Sequence, residues 1–117
     1  MKLNEIKNIL NATVVCGHEK MDVEIVSGGG ADLMTDVLAA TAKGSVLLTG
    51  QNTSDVIEIC IMADVGAVVF VRGKQASESV IELATANSIP ILLTHESMFV
   101  SCGRLYMQGL RGMDGSW

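Results

Sequence analysis

The chain alternates short, almost wholly apolar runs with longer stretches in which apolar residues recur every three or four positions. Residues 13–16, 23–26, 46–48, 67–71 and 91–93 are the runs, and their β-branched or aliphatic content predicts strands. Leu3, Ile6, Ile9 and Leu10 share one helical face, which predicts a short amphipathic helix over 2–10, ended by Asn11. Leu33, Met34, Val37, Leu38 and Ala42 mark a second helix closed by Gly44. From there one unit repeats. Strand 46–48 leads to a helix capped by Ser54 and running to Gly66, carrying Val56, Ile57, Ile59, Cys60 and Met62. Strand 67–71 leads to a helix capped by Ser77 with Val80, Ile81, Leu83 and Ala84 as its apolar set. Pro90 opens the strand 91–93, and a last helix spans about 97–108. Met34, Met62 and Met107 fall at apolar helical positions, where core filling accounts for them.

Strands apolar on both faces, alternating with amphipathic helices, predict an α/β fold: a three-layer single domain with a mostly parallel sheet and helices on both faces. The domain is expected over residues 1–110, with residues 111–117, glycine-rich and without period, as a loose C-terminal tail.

The junction at residues 26–36 stands out. The apolar run breaks at Ser27 into Gly28, Gly29 and Gly30, and a helical pattern with Asp32 at its start follows. Glycines and free amides at a helix start let a phosphate or carboxylate approach the backbone. The spacing is neither the G-x-G-x-x-G of dinucleotide folds nor the G-x-x-x-x-G-K-[ST] of P-loops.

Composition narrows the function classes. The 117 residues are 49% hydrophobic but only 3% aromatic, with a mean hydropathy of +0.41, so the core is aliphatic and surplus apolar surface is expected to be closed by a second copy of the chain, a homodimer. A net charge of −5 argues against a nucleic-acid or anionic-membrane partner. The longest apolar stretch, residues 56–71, is interrupted by Glu58 and Asp64, so no transmembrane helix is expected, and the charged N-terminus is unlike a signal peptide. A cytoplasmic location is the reading. Cys16, Cys60 and Cys102 match neither a disulfide framework nor a C-x-x-C metal knuckle and are read as buried free thiols. His18 lies two residues from Cys16, but further metal ligands are not evident. Neither metal nor cofactor is expected.

In an open parallel sheet, ligands collect outside the carboxyl ends of the strands, at a switch in strand order. The polar candidates fall at those ends: Gly28, Gly29, Gly30 and Asp32 after one strand, Thr49 and Gly50 after the next, then Arg72 and Lys74, then Thr94 and His95. Arg72 can fork onto a phosphate and Lys74 can supply a point charge. Asp32 could orient a ligand hydroxyl or bind magnesium, and Thr49 and Thr94 could each donate a hydroxyl. Turns use these same residue types for purely structural ends. His95 is the histidine placed for acid–base work, but Ser97 and Cys102 lie on the following helix and no partnered nucleophile is evident.

Gly30-Ala31-Asp32-Leu33, then Leu48-Thr49-Gly50-Gln51, then the segment from Pro90 through Thr94-His95-Glu96-Ser97 to Phe99, in that order, resemble the DRTGG domain. The resemblance runs from about Thr13 to Leu110. That family is named for an Asp-Arg pair and a later Thr-Gly-Gly; it occurs beside CBS modules and within long phosphotransacetylases, and is similar to the N-terminal, non-catalytic domain of HPr kinase/phosphorylase. Asp32 stands at the family's Asp, and Thr49 and Gly50 at its Thr and first Gly. Leu33 occupies the place of the Arg and Gln51 that of the second Gly, which removes a guanidinium from any phosphate contact the signature implies. The resemblance implies a stand-alone, non-catalytic regulatory module that senses a small phosphorylated or nucleotide ligand, mediates dimerisation, or both. A pure protein–protein interaction domain without ligand is the alternative, ahead of an enzyme using His95 or Asp32.

Overall fold

The structure is a computed structural model and describes residues 1–35, 42–113 and 115. Five strands form one sheet: β1 (Thr13–Cys16), β2 (Gly28–Gly30), β3 (Val46–Thr49), β4 (Ala67–Phe70) and β5 (Ile91–Leu93), in the spatial order β1-β5-β4-β3-β2. β2 to β5 are parallel and β1 joins β5 antiparallel, so the sheet is mostly parallel, as expected.

All four side chains of β3 and of β4 are buried. Such strands need cover on both faces. On one face Leu47, Val68, Phe70 and Ile91 meet Val56, Ile57 and Cys60 of helix α2 (Ser54–Ala63) and Val80 and Ala84 of α3 (Glu78–Ala86). On the other, Val46, Leu48, Val69, Val71 and Leu92 meet Leu3 and Ile6 of α1 (Leu3–Ile9) and Leu105 of α4 (Met98–Met107). Ser77 and Ser97 each accept a backbone N–H three residues on, from Val80 and Val100, which fixes the starts of α3 and α4. α2 begins one residue earlier than a Ser54 cap implies, after Thr53, and stops at Asp64, whose left-handed φ of 57° ends it before Gly66.

The second strand departs from expectation. Residues 23–26 are not in the sheet. The Leu3 and Asn4 amides donate to Val23 and Met21, and the Ile25 amide donates to Met1, so this segment spends its backbone bonds on the start of α1. The strand is instead the glycine triplet. Its glycines serve close packing: a Cβ at Gly28 would lie 2.8 Å from Leu110, one at Gly29 2.7 Å from Met113, and one at Gly30 2.7 Å from the Cys102 sulfur. Residues 111–113, expected in a loose tail, are bonded to this strand. The Gly28 amide donates to Arg111 and the Met113 amide donates to Gly28, so residues 111–113 cover the edge of β2, and Met113 is buried. The expected helix through Val37 and Leu38 falls mainly outside the described residues.

Two of the three methionines assigned to the core lie outside it: Met62 is 66% and Met107 84% exposed. Cys16 and Cys60 are buried free thiols, and Cys102 is partly covered.

Gly28→Val is expected to cost ~1–3 kcal/mol in urea unfolding, because the added carbons drive into Leu110; a glycine serving only to bind an anion would leave stability unchanged. Burial pushes the Cys60 thiol from 9.0 up to about 12. The unfolded chain releases that proton first, so the stability contributed by the neutral thiol is intact below pH 9.0 and is lost as pH rises toward 12. Cys60→Ala is expected to remove that component, up to about 1.4 kcal/mol per pH unit, from alkaline denaturation curves.

Candidate functional site

The carboxyl ends of β2 to β5 form one rim. Those strands are neighbours in sequence order, so the rim contains no reversal of strand order. Its shape comes from two local devices.

The first is the carboxylate of Asp32, just past β2. Its Oδ1 accepts the Gly50 amide at 2.7 Å and the Thr49 hydroxyl at 3.3 Å. Thr49 Oγ1 in turn accepts the Gln51 amide at 3.1 Å. Asp32, Thr49 and Gly50 thus form a polar clasp between the ends of β2 and β3, with the Thr49 side chain fully buried. A charge-assisted bond to a backbone amide is among the stronger polar links available to a loop.

The second is the turn after β4. The Lys74 amide donates to the Val71 carbonyl at 3.2 Å, closing a four-residue turn. Its central residues, Arg72 and Gly73, have φ of 60° and 71°. Two positive values suit a type I′ turn, where Asn-Gly is the easy choice and an arginine is not. Arg72 is held there from outside: its amide donates to Glu96 at 2.8 Å and that of Gly73 donates to Thr94 at 3.0 Å. The guanidinium lies over Gly50, so close that a Cβ at Gly50 would collide with it. It sits 3.8 Å from Asp32 Oδ2, with both side chains about half exposed (47% and 41%). An ion pair this wet contributes little stability. The guanidinium is therefore positioned rather than consumed.

The other expected site residues divide. His95 is exposed beside the turn, its Nδ1 3.2 Å from where a Gly73 Cβ would stand. Lys74 is exposed at the turn's end. Thr94 faces inward, its hydroxyl donating to the Leu10 carbonyl at 2.8 Å, so it ties β5 to the end of α1. Gly28 and Gly29 lie within β2 rather than on the rim, and Gly30 is its last residue. Asn52 closes the polar strand-end segment 49–52, with no role assigned from sequence; its side-chain amide donates to the Gln75 carbonyl at 2.7 Å and links the loops after β3 and β4. Glu96 lies in the strand-end segment 94–97 that the sequence marks as polar, with no role assigned there. Besides accepting the Arg72 amide, it pairs through Oε1 with Arg104 at 2.9 Å. Neither loop link carries a sequence signal stronger than an amide or a carboxylate at a turn.

Beside Asp32 opens a groove of about 550 Å³ whose lining includes Gln51, Thr53, Asp55, Glu58, Ile59 and Met62. Its acidic wall repels a phosphate but can accept hydrogen bonds from hydroxyl or amino groups. A smaller, apolar cavity of about 180 Å³ lies between β2 and α4, lined by the three glycines, Leu48, Leu105, Leu110 and Cys102 among others. Burial raises the Cys102 thiol above its ordinary value of 9.0, which favours its neutral form. Among the described residues, no cluster of His, Cys, Asp or Glu could hold a metal ion, and no helix is long and apolar enough to cross a membrane.

The DRTGG domain family matches residues 5–106. Among solved structures, the regulatory region of a Clostridium perfringens pyrophosphatase, comprising its CBS and DRTGG domains and complexed with the activator diadenosine tetraphosphate, is similar in fold. Its TM-score is 0.74 at 20% sequence identity, covering 94% of this chain and 47% of that one. This chain thus spans about half the length of that region. No curated protein matches the chain by sequence.

If the clasp is structural, Asp32→Ala should cost roughly 1–2 kcal/mol in chemical denaturation, because the Gly50 amide loses its acceptor. Asp32→Asn, which keeps an acceptor oxygen, should cost clearly less. Equal and negligible effects from both would show that the clasp does not hold the rim.

Proposed function

Because the chain belongs to the DRTGG domain family, a family of regulatory modules, we propose that it senses a small phosphorylated ligand, a nucleotide first among them, at the rim around Arg72, and that it works as a homodimer. One observation carries the ligand reading. An arginine is kept at a left-handed turn position that glycine or asparagine would occupy with less strain, and its guanidinium is left half exposed against Asp32. Backbone strain of this kind costs of order 1 kcal/mol, persists where the surrounding structure holds it, and clusters at functional sites. Leu33, 63% exposed, stands where the family has its signature arginine. Arg72 brings a guanidinium to the same Asp32 from a different strand.

The division of charge sorts the ligand. Phosphates go to Arg72 and Lys74; hydroxyl and amino groups, as on a ribose or a base, go to the acidic groove beside Asp32. The pyrophosphatase regulatory region that shares this fold is complexed with an adenine dinucleotide, which supports nucleotides as the first class to test.

The test is the thermal midpoint of the purified protein against adenine and guanine nucleotides, diadenosine tetraphosphate, acyl phosphates and sugar phosphates, with and without magnesium. A ligand at 100 times its dissociation constant adds about 2.7 kcal/mol, a rise of roughly 10 °C for a domain of this size. Arg72→Asn is expected to match or exceed the wild-type midpoint without ligand, through relief of strain, and to lose the ligand-induced rise. Flat curves for the wild-type protein across the panel would transfer the function to protein–protein interaction alone.

A further inference from the structure

β2 lies at the edge of the sheet, and its bare backbone faces the underside of α4. Leu110 and Cys102 lean onto it, 2.8 Å and 2.7 Å from where Cβ atoms at Gly28 and Gly30 would stand. Beside them the cavity of about 180 Å³ stays open, walled by the buried Leu48, Leu105 and Leu110 and by the Cys102 thiol. Protein interiors are filled to the density of organic crystals, so a void of this size is a departure. An apolar cavity of about 150 Å³ is enough to take up benzene.

A cation marks the mouth. Arg111 and Tyr106 line the cavity and are exposed. The guanidinium is fixed from one side: Nη1 donates to the Tyr106 carbonyl at 3.0 Å and to the Leu110 carbonyl at 3.2 Å, and the group lies 4.1 Å from the centre of the Tyr106 ring. Nε and Nη2 remain without an acceptor among the described residues. Arg72 and Arg104 each face a carboxylate, whereas Arg111 is paired with none among the described residues. The strand edge adds a donor. The Val46 amide donates to Ser27 and the Ala31 amide donates to Leu48, so these alternate residues bond to β3 while Gly28 and Gly30 turn their backbone groups outward. Those of Gly28 are taken by Arg111 and Met113. The Gly30 amide is not taken by any described residue, and Gly30 lines the same cavity.

We propose that this cavity binds a short-chain carboxylic acid, with its hydrocarbon tail among Leu48, Leu105 and Leu110 and its carboxylate on Arg111 and the Gly30 amide. The site is separate from the rim around Arg72 and does not depend on the nucleotide reading. Charge and shape select the ligand. A guanidinium held in place with two nitrogens uncommitted suits an anion, and the two oxygens of a carboxylate match its fork. Apolar walls reject a sugar or a base, whose hydroxyl and amino groups would be buried without partners. Inorganic phosphate supplies charge but nothing to fill the void. The volume limits the tail to about five or six carbons.

Amide chemical-shift mapping of the whole chain with hexanoate tests it. Saturable shifts are expected at Gly30, Cys102, Leu105 and Arg111, with a dissociation constant of order 1 mM, as befits a ligand of so few atoms. Hexan-1-ol, which keeps the tail, and acetate, which keeps the charge, should each bind at least about tenfold more weakly. Arg111→Gln should weaken hexanoate by about tenfold and leave hexan-1-ol unchanged, the alcohol reporting that the variant's cavity is intact. Should that variant lose hexan-1-ol as well, the ratio of acid to alcohol affinity in the wild-type chain decides. Silence of the cavity residues at about 10 mM hexanoate, hexan-1-ol binding as tightly as hexanoate, or an Arg111→Gln variant that binds hexanoate like the wild type would each overturn the proposal.

Discussion

Every side chain of β3 and β4 is buried, so neither face of the sheet can meet water. That constraint shapes the domain. Helices α2 and α3 must cover one face and α1 and α4 the other, and the loops joining them must turn at the strand ends. Polar chemistry is displaced to those ends because the faces have no room for it. The buried hydroxyls of Thr49 and Thr94 show the same pressure: each is satisfied internally, by Asp32 and by the Leu10 carbonyl, which also knits the rim to the rest of the fold.

Two duties separate at the rim. Asp32, Thr49 and Gly50 bond to one another, so their first service is to hold the ends of β2 and β3 in register. Arg72 has no comparable structural duty. Its backbone is tied down by Glu96, the neighbouring Gly73 by Thr94, and its head group is left at the surface beside a carboxylate already engaged elsewhere. A rigid backbone carrying an exposed guanidinium is a preorganised anion contact, which lowers the ordering cost of binding. The opposite side of the sheet offers a different kind of surface. There α4 presents an exposed apolar ridge through Phe99 and Met107.

Much of this was legible in the sequence. Residues 46–48, 67–71 and 91–93 read as buried strands because continuous aliphatic runs have few alternatives, and Ser77 marked a helix start through its capping chemistry. The glycine strand was not legible: glycine is disfavoured in strands, and what places it there is the approach of Leu110 and Met113, more than 80 residues away. Residues 23–26 looked like a strand by the same rule that succeeded elsewhere, but the start of α1 took up their hydrogen bonds. For α4, periodicity could not choose between two apolar faces, and Met107 was assigned to the core when it belongs outside. At the rim, an arginine and a glycine at a strand end suggested a turn, but the positive φ of Arg72 and its reach across Gly50 to Asp32 arise only in three dimensions.

The central claim is that the rim around Arg72 receives a nucleotide. Amide chemical-shift mapping during titration with ATP and with diadenosine tetraphosphate tests it most directly, because it reports position as well as binding. The account predicts saturable shifts concentrated at Asp32, Gly50, Arg72, Gly73 and His95, with the α4 ridge unaffected. Saturable shifts elsewhere with the rim silent, or no shifts at millimolar nucleotide, would contradict it.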